Sequence, residues 1–522
     1  MEPVVSPDPS HPAPVVRRRR YGHLVVLGLV FAAGLVVRLY HIGVPPLDFH
    51  PTRQYRAALL ARRYFLENDI SVPAWQRSLA VHNAEETYEF PLLQYVSALG
   101  YRLRGGEDLR IPRTVSVLAW LIGGVLVYRT ARRLASRDGA VAAVAFFLLV
   151  PFGVQASRAF HPDALMVTLL ALTYLTLLRY GDRGGTWALL AATLSGGLAT
   201  LVKPMAVFQV AGGFLAVWYA RRRRRDEGGM VQALVFATGV FAIGGLYYLY
   251  EWFSAPTLTG VAQQVFLPHL MLSVAFWKGW LAQIWKVVGF TAPVAAALGF
   301  FALPKGVARS LLAGLAGGYV IFALCFTYTT FTHDYYHLQL VPLVAVALAP
   351  LAGIGARRLR ASHFVGSRPA NAILAAVFVA VVLDVSVFSY YRERSENFDS
   401  EIASYREVGR LVGHGTKNAL LANYYAYPLR YYGELGGTYW PLSFDVRFAG
   451  LAGLSEPSSQ ERLAAMRAEL GVRYFIATDL PELHAQPDLE HLLASRFAVL
   501  AATDRYVIYD LNASSGGSGQ RP

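Results

Sequence analysis

Apolar runs of about twenty residues recur along most of this 522-residue chain. A helix rises ~1.5 Å per residue, so a run of that length matches the ~30 Å hydrocarbon core of a bilayer. No water is available there to bond backbone N–H and C=O groups, so each run must satisfy them internally, as a helix does. The runs fall at about 22–40, 112–131, 140–155, 162–180, 187–202, 205–220, 231–250, 284–303, 309–329, 336–354 and 371–390. The expected fold class is therefore a polytopic α-helical membrane protein with about eleven transmembrane helices.

Composition agrees. Hydrophobic residues make up 55% of the chain and charged residues only 16%, against about 25% in soluble domains. The formal charge of +14 could suggest nucleic acid, but much of the excess sits in short clusters between apolar runs, so no nucleic-acid partner is expected. Cys325 is the single cysteine, which excludes an intrachain disulfide and a thiolate metal site. Residues 1–20 are Pro-rich and then basic, and read as a disordered cytoplasmic N-terminus. The following run is too long for a signal peptide and lacks a small-residue cleavage site, so it reads as a retained first helix.

Basic residues set the orientation. With the N-terminus inside, the inner loops hold Arg17–Arg20, then Arg129, Arg132, Arg133 and Arg137, then Arg179 and Arg183. They continue with Arg221–Arg225, Lys305 and Arg309, and Arg357, Arg358, Arg360 and Arg368. The short outer turns hold only Arg158 and Lys203. Such alternation predicts N-terminus in and C-terminus out. It also isolates the outer charges as ones that topology does not explain.

Two outer segments are long. Residues 41–111 carry amphipathic stretches at Tyr55–Phe65 and Phe90–Leu103, which predict helices lying at the interface. Residues 251–283 carry interfacial aromatics, among them Trp252, Trp277 and Trp280. The transmembrane domain is thus read as 21–391. From 392 to 511 helical patterns (Ile402–Val412, Ser459–Leu470) alternate with β-rich runs (Ala419–Leu421, Tyr474–Ala477, Arg505–Tyr509). That predicts a small extracytoplasmic α/β domain, followed by a flexible tail at 512–522.

Ionisable groups beside hydrocarbon-length helices are costly and mark function by default. The first such group is Asp48-Phe49-His50-Pro51-Thr52-Arg53, where Asp48 could also cap a helix starting at Pro51. Next comes Glu85-Glu86, read as solvated, and Glu89, pressed to the interface by Phe90-Pro91-Leu92-Leu93. A carboxylate placed like Glu89 suits a raised pKa or a metal. Arg158, His161 and Asp163 share one tight outer turn, and Asp163 could be a cap. Lys203-Pro204 is a lone outer cation, expected to face an anion. His333, Asp334, Tyr335, Tyr336 and His337 form the last cluster, and His269 stands alone in the second long loop. Carboxylates act as bases or metal ligands, and Arg and Lys neutralise phosphate. No Walker loop, dinucleotide glycine pattern or Gly-x-Ser-x-Gly elbow is present. A phosphate-bearing substrate on the outer face is therefore expected to be lipid-linked.

These landmarks, Asp48 to Gln54, Glu89-Phe90-Pro91-Leu92, Arg158 with Pro162-Asp163, Lys203-Pro204 and His333 to Tyr336, resemble those of the GT-C superfamily of polytopic glycosyltransferases. The nearest branch resembles bacterial protein O-mannosyltransferases and lipid A aminoarabinose transferases, over roughly residues 20–390. The resemblance implies an enzyme of the bacterial plasma membrane with its active site on the extracytoplasmic face. It implies inverting sugar transfer from a polyprenyl-phosphate donor to an extracytoplasmic protein, lipid or polysaccharide. Asp48 would be the general base and Glu89 the second acidic residue. Arg53, Arg158 and Lys203 would hold the donor phosphate. A divalent metal ion is the one cofactor implied, with Glu89, His333 and His269 as candidate ligands. His50, His161, Asp163, Asp334, Tyr335, Tyr336 and His337 complete the candidate site. Two departures stand out: Asp48 is followed by Phe49 rather than a second acid, and no Lys accompanies Glu89. The competing readings are a transporter or flippase for a lipid-linked sugar, and a non-catalytic assembly partner. Transporters tend to carry internal repeats and mid-membrane charges, which this sequence does not show.

Overall fold

The computed structural model describes residues 14–85, 89–225, 229–254, 266–362, 367–395, 398–451 and 456–514. Glu86 and the far ends of the expected N- and C-terminal tails lie outside them. Helix dominates. Among the described residues, five helices are long and apolar enough to cross a membrane: Arg110–Leu134, Asp163–Arg183, Met230–Ser254, Val307–Cys325 and Asp334–Ala361. A bent pair, Val274–Val288 with Thr291–Ala302, makes a sixth if counted as one span. His23–Leu39 and Thr186–Val202 are shorter apolar helices.

Some expected runs are interrupted. The run at 140–155 divides into helices Arg137–Leu149 and Pro151–Ala156. Proline disfavours helical geometry in the residue before it, and Val150 is extended at φ −59°, ψ 124°. The run at 284–303 breaks at Gly289, whose φ of +72° ends one helix, and the next leaves at 86°. Only glycine adopts that conformation without a Cβ penalty.

Contacts divide the chain into two units. The first comprises residues up to Ile42, Tyr88–Pro91 and Arg113–Arg392. In it, helix Ala206–Arg225 packs along Val307–Cys325. A Cβ at Gly314 would strike the carbonyl of Gly212, so small residues let these backbones approach.

The second unit comprises Gly43–Thr87, Leu92–Pro112 and residues from Glu393 onward. The two amphipathic stretches form helices Pro51–Leu66 and Leu92–Arg104, which pack on each other and bury Tyr55, Leu59, Leu93 and Tyr101. The C-terminal sequence folds around a five-stranded sheet of order β2-β1-β3-β5-β4. These strands are β1 Asn418–Leu421, β2 Thr438–Tyr439, β3 Tyr474–Ala477, β4 Phe497–Ala502 and β5 Val507–Ser514. Strand β1 is parallel to β2 and β3, whereas β5 is antiparallel to β3 and β4. Alternation along β1 sends Ala419 and Leu421 into one apolar layer with Trp440 and Phe475, and Leu420 and Ala422 into another with Tyr405 and Leu429. Asn512–Ser514, expected as tail, belong to β5.

Candidate functional site

The first unit gathers much of the expected constellation. Asp163 opens helix Asp163–Arg183 and is fully buried. The residue flanking the helix is Pro162, so Asp163 is not its cap and its carboxylate turns to other partners. Lys203 follows helix Thr186–Val202 in extended conformation, and Pro204 cannot donate a backbone hydrogen bond to continue that helix. Its ammonium donates to Asp163 Oδ1 at 2.6 Å and lies 4.0 Å from Glu89 Oε1. His161 Nδ1 contacts the other Asp163 oxygen. Lys203 is thus shared between two carboxylates rather than isolated, the arrangement a buried charge requires.

Tyrosines close the cluster. Lys203 Nζ lies 4.9 Å from the ring centre of Tyr335 and 4.6 Å from that of Tyr336, within cation–π range. His161 packs edge-on to Tyr335 at 5.1 Å, and the His333 ring contacts both tyrosines. Arg158 is buried and donates to Tyr40 O at 2.8 Å. Behind it, Arg113 donates to Arg158 O at 2.8 Å and to Ile42 O, while Arg38 donates to Ser157 Oγ at 2.6 Å and to Leu148 O. These arginines fix the turn that carries Arg158, His161 and Asp163. Neither stands out in the sequence, because each is a single arginine at the end of an apolar run.

Two members of the last cluster are engaged elsewhere. Asp334 pairs with Lys286 at 2.5 Å. His337 is buried in a relay: Trp280 Nε1 donates to Tyr319 Oη at 2.8 Å, and Tyr319 Oη lies 2.6 Å from His337 Nδ1. His337 Nε2 lies 2.8 Å from Thr330 O. A carbonyl only accepts, so Nε2 carries the proton and Nδ1 accepts from Tyr319. That satisfied network ties helices Val274–Val288 and Val307–Cys325 to the turn Asp334–Gln339.

The expected metal ligands do not assemble. Among the described residues no three His, Cys, Asp or Glu side chains are grouped to hold a metal ion. Glu89 has Lys203 beside it, His333 Nδ1 lies 2.7 Å from Thr332 Oγ1, and His269 is exposed on the turn Pro268–Leu272. Among the described residues, Glu89, His333 and His269 therefore do not form a metal site.

The second unit holds Asp48, His50 and Arg53. Helix Pro51–Leu66 starts at Pro51 as expected, but its flanking residue is His50, in left-handed geometry at φ 45°, ψ 62°, with no side-chain cap. Asp48 is therefore not the cap. It is 8% exposed, 3.5 Å from Gln54 Nε2, and Gln54 also donates to Phe49 O at 2.5 Å. Arg53 occupies the first turn, half-buried. Non-glycine residues held at positive φ cost ~1–3 kcal/mol and cluster at functional sites.

Glu85, expected to be solvated, is instead a junction. It accepts from Arg430 at 2.8 Å and from the Tyr427 hydroxyl, with Arg56 3.9 Å away. Burial alone would raise its pKa, but these donors hold it below the usual carboxylate value. Arg62 bonds Glu107 at 2.9 Å and lies 3.8 Å over the Tyr431 ring, while Tyr431 Oη donates to Glu107 at 2.7 Å. Tyr427, Tyr431 and Trp440 are buried in packing. Tyr424 and Tyr425 remain exposed.

Residues 88–247, which include Glu89, Arg158, His161, Asp163 and Lys203, match the family described as dolichyl-phosphate-mannose-protein mannosyltransferase. Comparison with curated proteins gives no match. The fold is similar to the crystal structure of ArnT from Cupriavidus metallidurans bound to undecaprenyl phosphate, at 16% identity and a TM-score of 0.59. That match covers 94% of this chain and 99% of ArnT. It is also similar to the archaeal oligosaccharyltransferase AglB from Archaeoglobus fulgidus in complex with an inhibitory peptide and a dolichol-phosphate. There the identity is 11% and the TM-score 0.53, covering 92% of this chain and 73% of AglB. A further structure, of an Archaeoglobus fulgidus oligosaccharyltransferase in complex with Zn and sulfate, matches at 12% identity and a TM-score of 0.50, covering 91% of this chain and 71% of that one. The fold is similar to that of ArnT, and that similarity agrees with the resemblance to the GT-C class of polytopic membrane glycosyltransferases read from the sequence.

Proposed function

We propose that this protein is a glycosyltransferase that moves a sugar from a polyprenyl-phosphate donor to an extracytoplasmic acceptor with inversion. The observation that carries the reading is the buried group of Lys203, Asp163, His161 and Glu89 at the start of a membrane-length helix, on a GT-C fold. Support for a lipid-phosphate donor comes from the undecaprenyl phosphate and dolichol-phosphate named for the similar proteins. The eleven-span count rests on the apolar runs, the inner N-terminus and outward-facing site on the arginine alternation, and the bacterial plasma membrane on the family resemblance.

In this scheme Asp48 removes the proton of the acceptor hydroxyl. The acceptor oxygen attacks the anomeric carbon opposite the phosphate, and the carbon–oxygen bond to phosphate breaks. Polyprenyl phosphate leaves with the electron pair. Lys203, Arg158 and Arg53 stabilise the charge that develops on it, which is where fixed cations contribute most. Asp163, Glu89 and His161 hold Lys203 in place when no phosphate is bound, and Tyr335 and Tyr336 keep water from it. Asp334 and His337 act as supports in this scheme rather than as contacts to substrate.

Membranes carrying the protein, given a polyprenyl-phosphate sugar and cell-envelope acceptors, test the reading. Transfer that requires both Asp48 and Lys203 supports it. Transfer unchanged in Asp48→Asn removes Asp48 as the base. Vectorial movement of the intact donor without a new glycosidic bond would replace the enzyme with a flippase.

A further inference from the structure

A second charged concavity lies at the other end of the Asp163 helix. Arg179 and Arg183 sit in the last turns of that helix, and Arg129, Arg132 and Arg133 in the last turns of Arg110–Leu134. Together with Val125, Tyr128 and Leu175 they line a cleft of about 570 Å³. Helix C-termini favour a nearby cation and inner-loop arginines set orientation, but neither requires five guanidiniums to line one cleft. Arg133 pairs with Asp182 at 2.9 Å, and Arg132 donates to Ala135 O at 3.0 Å. Among the described residues no carboxylate balances Arg129, Arg179 or Arg183. Like charges gathered without counter-charge repel, and a bound anion removes that repulsion.

We infer that this cleft binds the phosphate headgroup of an anionic phospholipid. The ligand is a phosphate group, because guanidinium forks match phosphate oxygens in pairs. The lipid source is favoured by position. The helix Asp163–Arg183 has 21 residues, so its two ends lie ~30 Å apart, one hydrocarbon thickness. The arginine end is therefore at the membrane boundary opposite Asp163. Val125 and Leu175 line the same cleft, giving acyl chains an apolar wall below the headgroup. Basic pockets between transmembrane helices are suited to such headgroups. This site is separate from the transfer site and does not depend on its chemistry.

Full-length protein in uncharged detergent, titrated by native mass spectrometry and thermal shift, tests the inference. The probes are cardiolipin, phosphatidylethanolamine and inorganic pyrophosphate. Cardiolipin binds and raises the melting temperature, whereas phosphatidylethanolamine and pyrophosphate do so weakly. Arg129→Ser with Arg179→Ser weakens cardiolipin binding at least about tenfold, equivalent to ~1.4 kcal/mol. The corresponding Arg→Lys pair, which keeps charge but loses the fork, falls between. Equal cardiolipin affinity in wild type and the Ser pair overturns the site and leaves the arginines an orienting role only. Pyrophosphate binding as tightly as cardiolipin overturns the lipid assignment. Should the Ser pair fail to fold, wild-type binding that is insensitive to added salt overturns the proposal.

Discussion

Lys203 and Asp163, forty positions apart, meet through a 2.6 Å contact with side chains that are 1% and 0% exposed. Neither charge is tolerable alone at that depth, so each explains the presence of the other. The pair also anchors the starts of two neighbouring structural pieces, helix Asp163–Arg183 and the turn at Lys203-Pro204.

Lys203→Met strands Asp163 and should destabilise the protein by about 3–5 kcal/mol. Adding Asp163→Leu should restore part of that loss, since the second charge is then removed too. Thermal unfolding of the two singles and the double in one detergent measures the coupling. A double variant as unstable as the sum of the singles would show that the pair is not energetically linked.

Asp48→Asn should lower sugar transfer by about 10²–10⁴-fold, the contribution of a positioned base. The amide is nearly isosteric and can keep the 3.5 Å approach of Gln54, so the melting temperature should hold. Initial rates with a polyprenyl-phosphate sugar, alongside a thermal scan, separate loss of a base from loss of the fold.

Glu85 predicts an acid limb in stability. Its folded pKa is depressed: burial opposes ionisation, and the bonds from Tyr427 and Arg430 outweigh it. Such a carboxylate adds stability fully above its ordinary value of 4.5 and loses it as pH falls through the lower folded value. Glu85→Gln should flatten the pH dependence of melting in that window. An unchanged acid limb in the variant would assign it to other groups.

Arg62→Lys should be far from conservative. The guanidinium bonds Glu107 and Tyr431 O and lies over the Tyr431 ring at once, which a single ammonium cannot do. A loss of about 1.5–3 kcal/mol is expected, the scale of charge-assisted hydrogen bonds. Hydrogen exchange along helix Pro51–Leu66 reads it locally.

Gly409→Ala should disrupt folding of the C-terminal residues. A Cβ there would collide with the carbonyl of Gly433, where helix Asp399–Leu411 packs on Tyr427–Gly433. Circular dichroism and expression level check this.

The sequence alone determined the helical membrane class, the amphipathic stretches at Tyr55–Phe65 and Phe90–Leu103, and three of the five strands, because apolar period and length act locally. The break at Gly289 depended on a single residue that a hydropathy window averages away. Strands β2 and β4 were not legible, since two residues at Thr438–Tyr439 and an exposed edge at β4 carry little alternation of their own. Only the tertiary structure decided what the charges do. It gave Lys203 two carboxylates and two tyrosines, took Asp334 to Lys286, and put His337 into a relay. A side chain's partners come from distant parts of the chain, and burial fixes whether its charge must be answered from within the protein. Position along the sequence carries the first of these facts weakly and the second hardly at all.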